Sequence, residues 1–277
     1  MIDIEFAGRL VTDIAPTDMM WNAKMPNHYF GVGLSNLHAI RQGVAARAAF
    51  FGREPLRDIL DFGCGCGRVT RFLRAAWPDA RTWVTDLRKT DEAWVSKELG
   101  CEVLPTLMPA KDSFDLIFLG SVFTHLPEQR ARDLLPALLA GLRAGGLLIF
   151  TTQGRSSYER LVHLDWEQAR QHPWMSYRLL PPDVEKLVAS YRHAGYGYVN
   201  YPGFSDYGVT VAPSQWYCDT VLELADVTQV MHWERGCDDH QDVLAFLKRP
   251  IRAALTPTFR REAERMMALL PAGGNSP

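Results

Sequence analysis

The chain has 277 residues, with 30 Lys and Arg against 32 Asp and Glu and a formal net charge of -2. No Lys/Arg cluster is long enough to mark a nucleic-acid track, no apolar run approaches membrane length, and the start lacks a basic-then-apolar leader pattern. The five cysteines are scattered except Cys64 and Cys66, whose single intervening glycine suits close packing in a tight loop and not a zinc ligand set. The expectation is a cytoplasmic enzyme with no metal, no nucleic-acid partner and no membrane attachment.

Residues 1–54 hold an N-terminal arm, anchored by the apolar Met19-Met20-Trp21, and a helix carrying His28-Tyr29-Phe-Gly-Val-Gly33. The core, 55–152, opens on the most informative stretch. Ile59-Leu-Asp61 is a short apolar run ending in an acid, and Gly63, Gly65 and Gly67 alternate after it. Val69, Phe72, Leu73, Ala76 and Trp77 then recur at helical spacing up to Pro78. A strand, a glycine turn and a helix in that order let backbone approach a ligand where a side chain would block it. A dinucleotide site needs its third glycine three residues after the second, because pyrophosphate meets the helix N-terminus there. That position is Arg68 here, and Asp61 would repel a pyrophosphate while serving a cation.

Arg81-Thr-Trp-Val-Thr-Asp86 reads as a second strand ending in an acid, where such folds bind ribose hydroxyls. Capping of the next helix is the alternative role for Asp86. Phe114 to His125 gives a buried fourth strand running into a loop. The helix opened by Leu126-Pro127-Glu has Leu134, Leu135, Leu138, Leu139 and Leu142 on its apolar side and a kink at Pro136. Ala144-Gly-Gly stops it before a fifth strand, Leu147 to Thr152. Residues 153–212 are surplus to a minimal fold of this kind and hold Trp166, Trp174, Tyr177, Tyr191, Tyr196, Tyr198, Tyr201, Phe204 and Tyr207 around a helix from Pro182 to Ala194. An insertion there overhangs the carboxyl ends of the strands, which makes it the expected acceptor cap. Tyr177, Tyr207 and Trp174 are its expected substrate contacts, and a small core of the cap's own is the other use for these rings. Residues 213–250 return to the core with a helix over Pro213 to Ala225 and an antiparallel pair near Gln229 to Glu234 and Asp242 to Lys248. Residues 251–277 carry an amphipathic helix near Phe259 to Leu270, packed on the core or on a second copy in a homodimer, and a disordered end from Gly273.

The glycine pattern resembles the first motif of the class I S-adenosylmethionine-dependent methyltransferases. Ser121-Val-Phe-Thr-His-Leu and Leu142-Arg-Ala-Gly-Gly-Leu-Leu resemble the phrases after the fourth and before the fifth strand in a bacterial branch of that family, one associated with glycan and secondary-metabolite pathways. His28-Tyr-Phe-Gly-Val-Gly-Leu-Ser resembles its cofactor-covering helix. Tyr207 to Trp216 and Asp239 to Lys248 are similar to its later segments. The resemblance spans roughly residues 25–250. It implies an α/β fold with a doubly wound, mostly parallel seven-stranded sheet, Rossmann-like, with an N-terminal covering helix and a cap after the fifth strand. It also implies S-adenosyl-L-methionine as cofactor. The residues expected to bind it are Tyr29, Gly33, Asp61, Gly63, Cys64, Gly65, Gly67, Arg68, Asp86, Leu87, Thr106, Leu107, Ser121, Val122 and His125. One feature departs: the family's acid or amide near the end of the third strand is missing from Cys101-Glu-Val-Leu-Pro-Thr106-Leu107. Backbone groups of 104–107 or Thr106 must then hold the adenine.

The expected reaction is methyl transfer to a small-molecule or saccharide acceptor, at oxygen. The alternatives are N- or S-methylation of a natural product or peptide, a nicotinamide-dependent reductase, and a cofactor-binding partner without catalysis. An alcohol acceptor needs a base. His125, at the cleft mouth, is the first candidate, with a loop or cofactor hydrogen bond as its other role, and His28 is the second. His163 and His172 read as surface residues, and Glu234, Asp238, Asp239 and His240 as a solvated hairpin turn.

Overall fold

The computed structural model describes residues 4–87, 89–249 and 265; the expected C-terminal helix and tail lie outside these. A short helix α1 (Ile4–Arg9) and an extended arm lead to the 26-residue helix α2 (Pro26–Phe51). Then come β1 (Asp58–Phe62), α3 (Thr70–Ala76), β2 (Arg81–Thr85), α4 (Lys89–Leu99), β3 (Glu102–Val103), β4 (Phe114–Leu119), α5 (Glu128–Gly141) and β5 (Leu142–Thr152). The segment after β5 contains α6 (Arg155–Val162), α7 (Trp166–Gln171), a 3-10 turn (Pro173–Ser176), α8 (Pro181–Ala194) and the hairpin β6 (Gly197–Asn200) and β7 (Gly208–Val211). The chain returns through α9 (Ser214–Leu224), β8 (Val227–Cys237) and β9 (Gln241–Lys248).

The main sheet has seven strands in the order β3-β2-β1-β4-β5-β9-β8. The pairs among β1 to β5 are parallel, and β9 runs antiparallel to both β5 and β8. Every residue of β1 and β4 is buried, as expected where helices cover both faces of a parallel sheet. Alternation divides the apolar side chains between those faces. Leu60, Ile117, Leu148, Phe150 and Phe246 meet Leu135, Leu138 and Val221 of α5 and α9 on one side. Ile59, Leu116, Phe118, Ile149 and Ala245 meet Ile40 of α2 and Leu73 of α3 on the other. The strand order reverses between β1 and β4, and ligands bind outside the carboxyl ends of strands at such a switch point. The glycine turn follows β1 there, and Ser121 to His125 follow β4.

Two local expectations are corrected, and a third is resolved. Helix α5 ends at Gly141, and Leu142 begins β5 by pairing with Phe114, so Ala144-Gly-Gly lies within the strand, at its register shift. Met19 and Met20 are 80% and 61% exposed; of the three only Trp21 packs inward, edge-on to Tyr29 with ring centroids 5.3 Å apart. The aromatics of 153–212 also divide. Trp166, Tyr177, Tyr191 and Tyr201 pack on a separate small core of Leu161, Leu179, Val184, Leu187 and Val209. Tyr196 and Tyr198 pack on the main core, while Trp174, Phe204 and Tyr207 remain exposed.

Candidate active site

Gly63, Gly65 and Gly67 all take left-handed backbone, with φ of 79°, 52° and 78°, a region that costs L-residues but not glycine. Their surroundings differ. A Cβ on Gly63 would strike Val122 at 2.5 Å and one on Gly67 would strike Leu99 at 2.6 Å. A Cβ on Gly65 would meet nothing within 4 Å. Two of the glycines therefore permit packing, and the middle one faces open space at the carboxyl end of β1.

Acids surround this turn. Asp61, at 2% exposure, accepts a 2.6 Å hydrogen bond from Thr70 Oγ1. Burial pushes its carboxyl up to about 7 and Asp86 adds to the rise, while the Thr70 bond opposes it. Asp86 Oδ2 accepts from the Gly65 backbone N–H at 2.8 Å, and the Asp86 N–H is held in turn by the buried Glu92 at 2.7 Å. The Asp86 carboxylate thus shapes the glycine turn. Leu87 beside it is 75% exposed. Cys64 and Cys66 are free and buried, with burial raising both thiols. Thr106 is exposed with its hydroxyl on Met108 O, and Leu107 leans on the main core.

The N-terminal arm crosses the turn. Arg71 of α3 is 1% exposed and bonds the carbonyls of Gly67, Val11 and Asp13. Its Nη2 is buried without a hydrogen-bond partner among the described residues. Asp18 accepts from Tyr29 OH at 2.6 Å, and Thr17 donates to the buried Asp91 at 2.9 Å. Arg68 and Arg71 both lie over the Tyr29 ring, at 5.8 and 5.5 Å. Gly33 lets α2 approach this corner, since a Cβ there would lie 2.3 Å from the Phe72 ring. Tyr29, Gly33 and Arg68 are thereby brought together. No motif marks Arg71 or Asp18, because Arg71 holds backbone carbonyls up to 60 residues away and Asp18 meets a phenol on the next helix.

After β4, Ser121 takes a φ of 59°, and its hydroxyl bonds Gln241 Oε1 at 3.1 Å. Thr151 donates to the same oxygen at 2.6 Å, joining β5 to the start of β9. The loop is stitched to β7 by Gly208 N–H to His125 O and Thr210 N–H to Thr124 O. His125 Nδ1 lies 2.7 Å from the Gly208 carbonyl. A carbonyl only accepts, so Nδ1 carries the proton and Nε2 the lone pair. Burial holds the ring below the usual histidine range, against the pull of that carbonyl bond. Tyr207 and Tyr201 flank the imidazole, with ring centroids 5.0 and 5.9 Å away.

The remaining candidates are dispersed. His28 is exposed on the first turn of α2, and His163 and His172 are exposed. Trp174 is 62% exposed, with no ring partner among the described residues. Tyr177 does not face solvent in the cleft beside Tyr207; it stacks at a tilt on His240, with centroids 5.7 Å apart. Glu234 pairs with Arg155 and Asp239 with Arg235, as charges on the β8–β9 hairpin. No helix among the described residues is long and apolar enough to cross a membrane.

Residues 36–182, more than half of the chain, match a family model described as a methyltransferase domain. A trans-aconitate 2-methyltransferase of Streptomyces avermitilis is 32% identical over 164 residues, 54% of this chain and 59% of its own. A malonyl-[acyl-carrier protein] O-methyltransferase of Acetivibrio thermocellus is 30% identical over 123 residues, 41% of each chain. The chain thus spans roughly half the length of these curated relatives. An S-adenosylmethionine-dependent methyltransferase structure from Clostridium acetobutylicum superposes with a TM-score of 0.50 at 12% identity, covering 79% of this chain and 92% of that one. The chain belongs to the methyltransferase-domain family, with the seven-stranded, mostly parallel Rossmann-like sheet of the class I S-adenosylmethionine-dependent fold.

Proposed function

We propose that the protein is an S-adenosylmethionine-dependent O-methyltransferase acting on a small-molecule acid. The observation that carries the cofactor reading is the glycine turn, whose middle residue faces open space beside a buried acid. When bound, S-adenosylmethionine supplies an electrophilic methyl group on a sulfonium. The residues present fit such a ligand. Asp61, once ionised, supplies a buried counter-charge to a neighbouring ammonium, Asp86 can accept from ribose hydroxyls, and Leu87 offers apolar surface to a purine. Arg68, with Tyr29 and Gly33 at the corner of α2, suits a carboxylate.

The two relatives' names bear on the acceptor. Trans-aconitate and a malonyl group both present carboxylates, whose oxygen attacks without losing a proton. For such an acceptor the chain's part is to orient the acid and exclude water, a positioning role. Residues 153–212, and Tyr207 and Tyr201 beside His125, supply the covering surface. A saccharide or other alcohol is a second reading, favoured by the His125 tautomer: a neutral ring with its Nε2 lone pair available is what a hydroxyl's base requires. Incubation with methyl-labelled cofactor and either trans-aconitate, malonate monothioesters or simple sugars tests the two. Label recovered as a base-labile methyl ester supports the acid reading. Label recovered only as an alkali-stable ether transfers the role of base to His125, and no transfer to any class removes the acceptor proposal.

A further inference from the structure

We propose that Arg160, His240, Tyr177 and Ser157 form a carboxylate-binding subsite for the acceptor at the seam between residues 153–212 and the sheet, an inference that rests on the methyltransferase reading above. Arg160 on α6 donates from Nη1 to His240 Nδ1 at 2.8 Å. A guanidinium only donates, so Nδ1 is the accepting nitrogen and Nε2 carries the ring proton. Burial, and the charge of Arg160 beside it, push His240 down to about 4, so the ring is neutral at physiological pH. The Tyr177 ring stands against both, 5.7 Å from the His240 ring and 6.0 Å from the Arg160 guanidinium carbon. Its hydroxyl and the fully buried Ser157 Oγ are neighbours, with no short hydrogen bond to any other group among the described residues.

The cluster therefore presents one positive charge and two hydroxyls, and contains no carboxylate of its own. The nearby carboxylates are committed elsewhere. Asp242 accepts from Ser214 Oγ and the Arg235 N–H, Glu159 and Glu234 pair with Arg155, and Asp239 pairs with Arg235. A carboxylate offers about four lone-pair sites, enough for the guanidinium and both hydroxyls together. Tyr177 also holds left-handed backbone at φ 53°, the kind of conformation that persists where surrounding contacts impose it.

The location suits an acceptor. His240 directly precedes Gln241, which ties Ser121 and Thr151 at the ends of β4 and β5. On its other side Tyr177 packs on the same small core as Tyr201, which in turn flanks His125. An acid gripped by this cluster would have its remaining length directed toward the strand ends where the glycine turn opens.

The test is calorimetry on the full chain loaded with S-adenosylhomocysteine, with trans-aconitate as the probe. Arg160→Gln should weaken trans-aconitate by about tenfold to a hundredfold, the loss expected when a charged hydrogen-bonding partner is removed. Tyr177→Phe, which keeps the ring, should weaken it several-fold. Both should keep the native melting temperature and the native affinity for S-adenosylhomocysteine. Native affinity for trans-aconitate in Arg160→Gln, or equally tight binding of inorganic phosphate by the native protein, overturns the subsite. So does failure of the native protein to bind trans-aconitate while S-adenosylhomocysteine still binds. Failure to bind S-adenosylhomocysteine itself overturns the reading beneath it.

Discussion

Replacing Asp61 by Asn separates what the buried acid costs the fold from what it does for a ligand. Asp61 is 2% exposed, and its carboxyl is raised from 3.8 to about 7, burial being the largest cause. The folded pKa lies above the unfolded one, so the folded state holds the proton more tightly. The penalty is absent below about pH 4 and complete above about pH 7. A displacement of that size corresponds to about 4 kcal/mol at alkaline pH. Asn cannot ionise and can still accept the 2.6 Å bond from Thr70, but its amide N–H groups need a new acceptor, which removes part of the gain. Asp61→Asn should therefore stabilise the ligand-free protein by about 2 to 4 kcal/mol at pH 8 and by little at pH 4. Urea unfolding at the two pH values measures this. The same variant should bind S-adenosylmethionine at least about tenfold more weakly at pH 8, since an ammonium loses its counter-charge. Native affinity should climb with pH toward about 7, and the variant's should not. A variant less stable than native at pH 8, or one with native cofactor affinity, would overturn this role for Asp61.

Three further outcomes follow from the site. Gly65→Val should abolish cofactor binding detectable by calorimetry and leave the far-ultraviolet circular dichroism native, because the side chain enters open space while its backbone resists a positive φ. His125→Gln should lower kcat by less than about tenfold for an acid acceptor; a loss of about 10² to 10⁴ would identify a general base and favour the alcohol reading. Tyr207→Ala should raise the acceptor's KM and leave cofactor affinity alone, since the exposed Tyr207 ring stands beside His125; weakened cofactor with intact acceptor kinetics would move acceptor recognition to the N-terminal arm.

The glycine turn was legible because its signal is local: alternating glycines after an apolar run have few other uses, and each takes a positive φ. The strand ends after it and after β4 were legible for the same reason. The start of β5 was not. Leu142 continues the helical spacing of Leu135, Leu138 and Leu139, and only its pairing with Phe114 makes it strand. Met19 and Met20 show the converse, since hydrophobicity does not say which side of an extended arm faces inward. Asp86 was legible as a site acid, but its grip on the Gly65 N–H depends on a turn geometry no spacing encodes. The Arg160–His240 contact joins residues 80 apart; the sequence presents His240 only as one polar residue in a hairpin turn.

The central claim is that the turn from Gly63 to Gly67 holds S-adenosylmethionine. Calorimetric titration of the native protein with S-adenosylhomocysteine, and separately with NADH, tests it most directly. One saturable site for S-adenosylhomocysteine and no measurable heat from NADH are the expected results. Saturable NADH binding without S-adenosylhomocysteine binding would contradict it, and would return the glycine turn to a pyrophosphate.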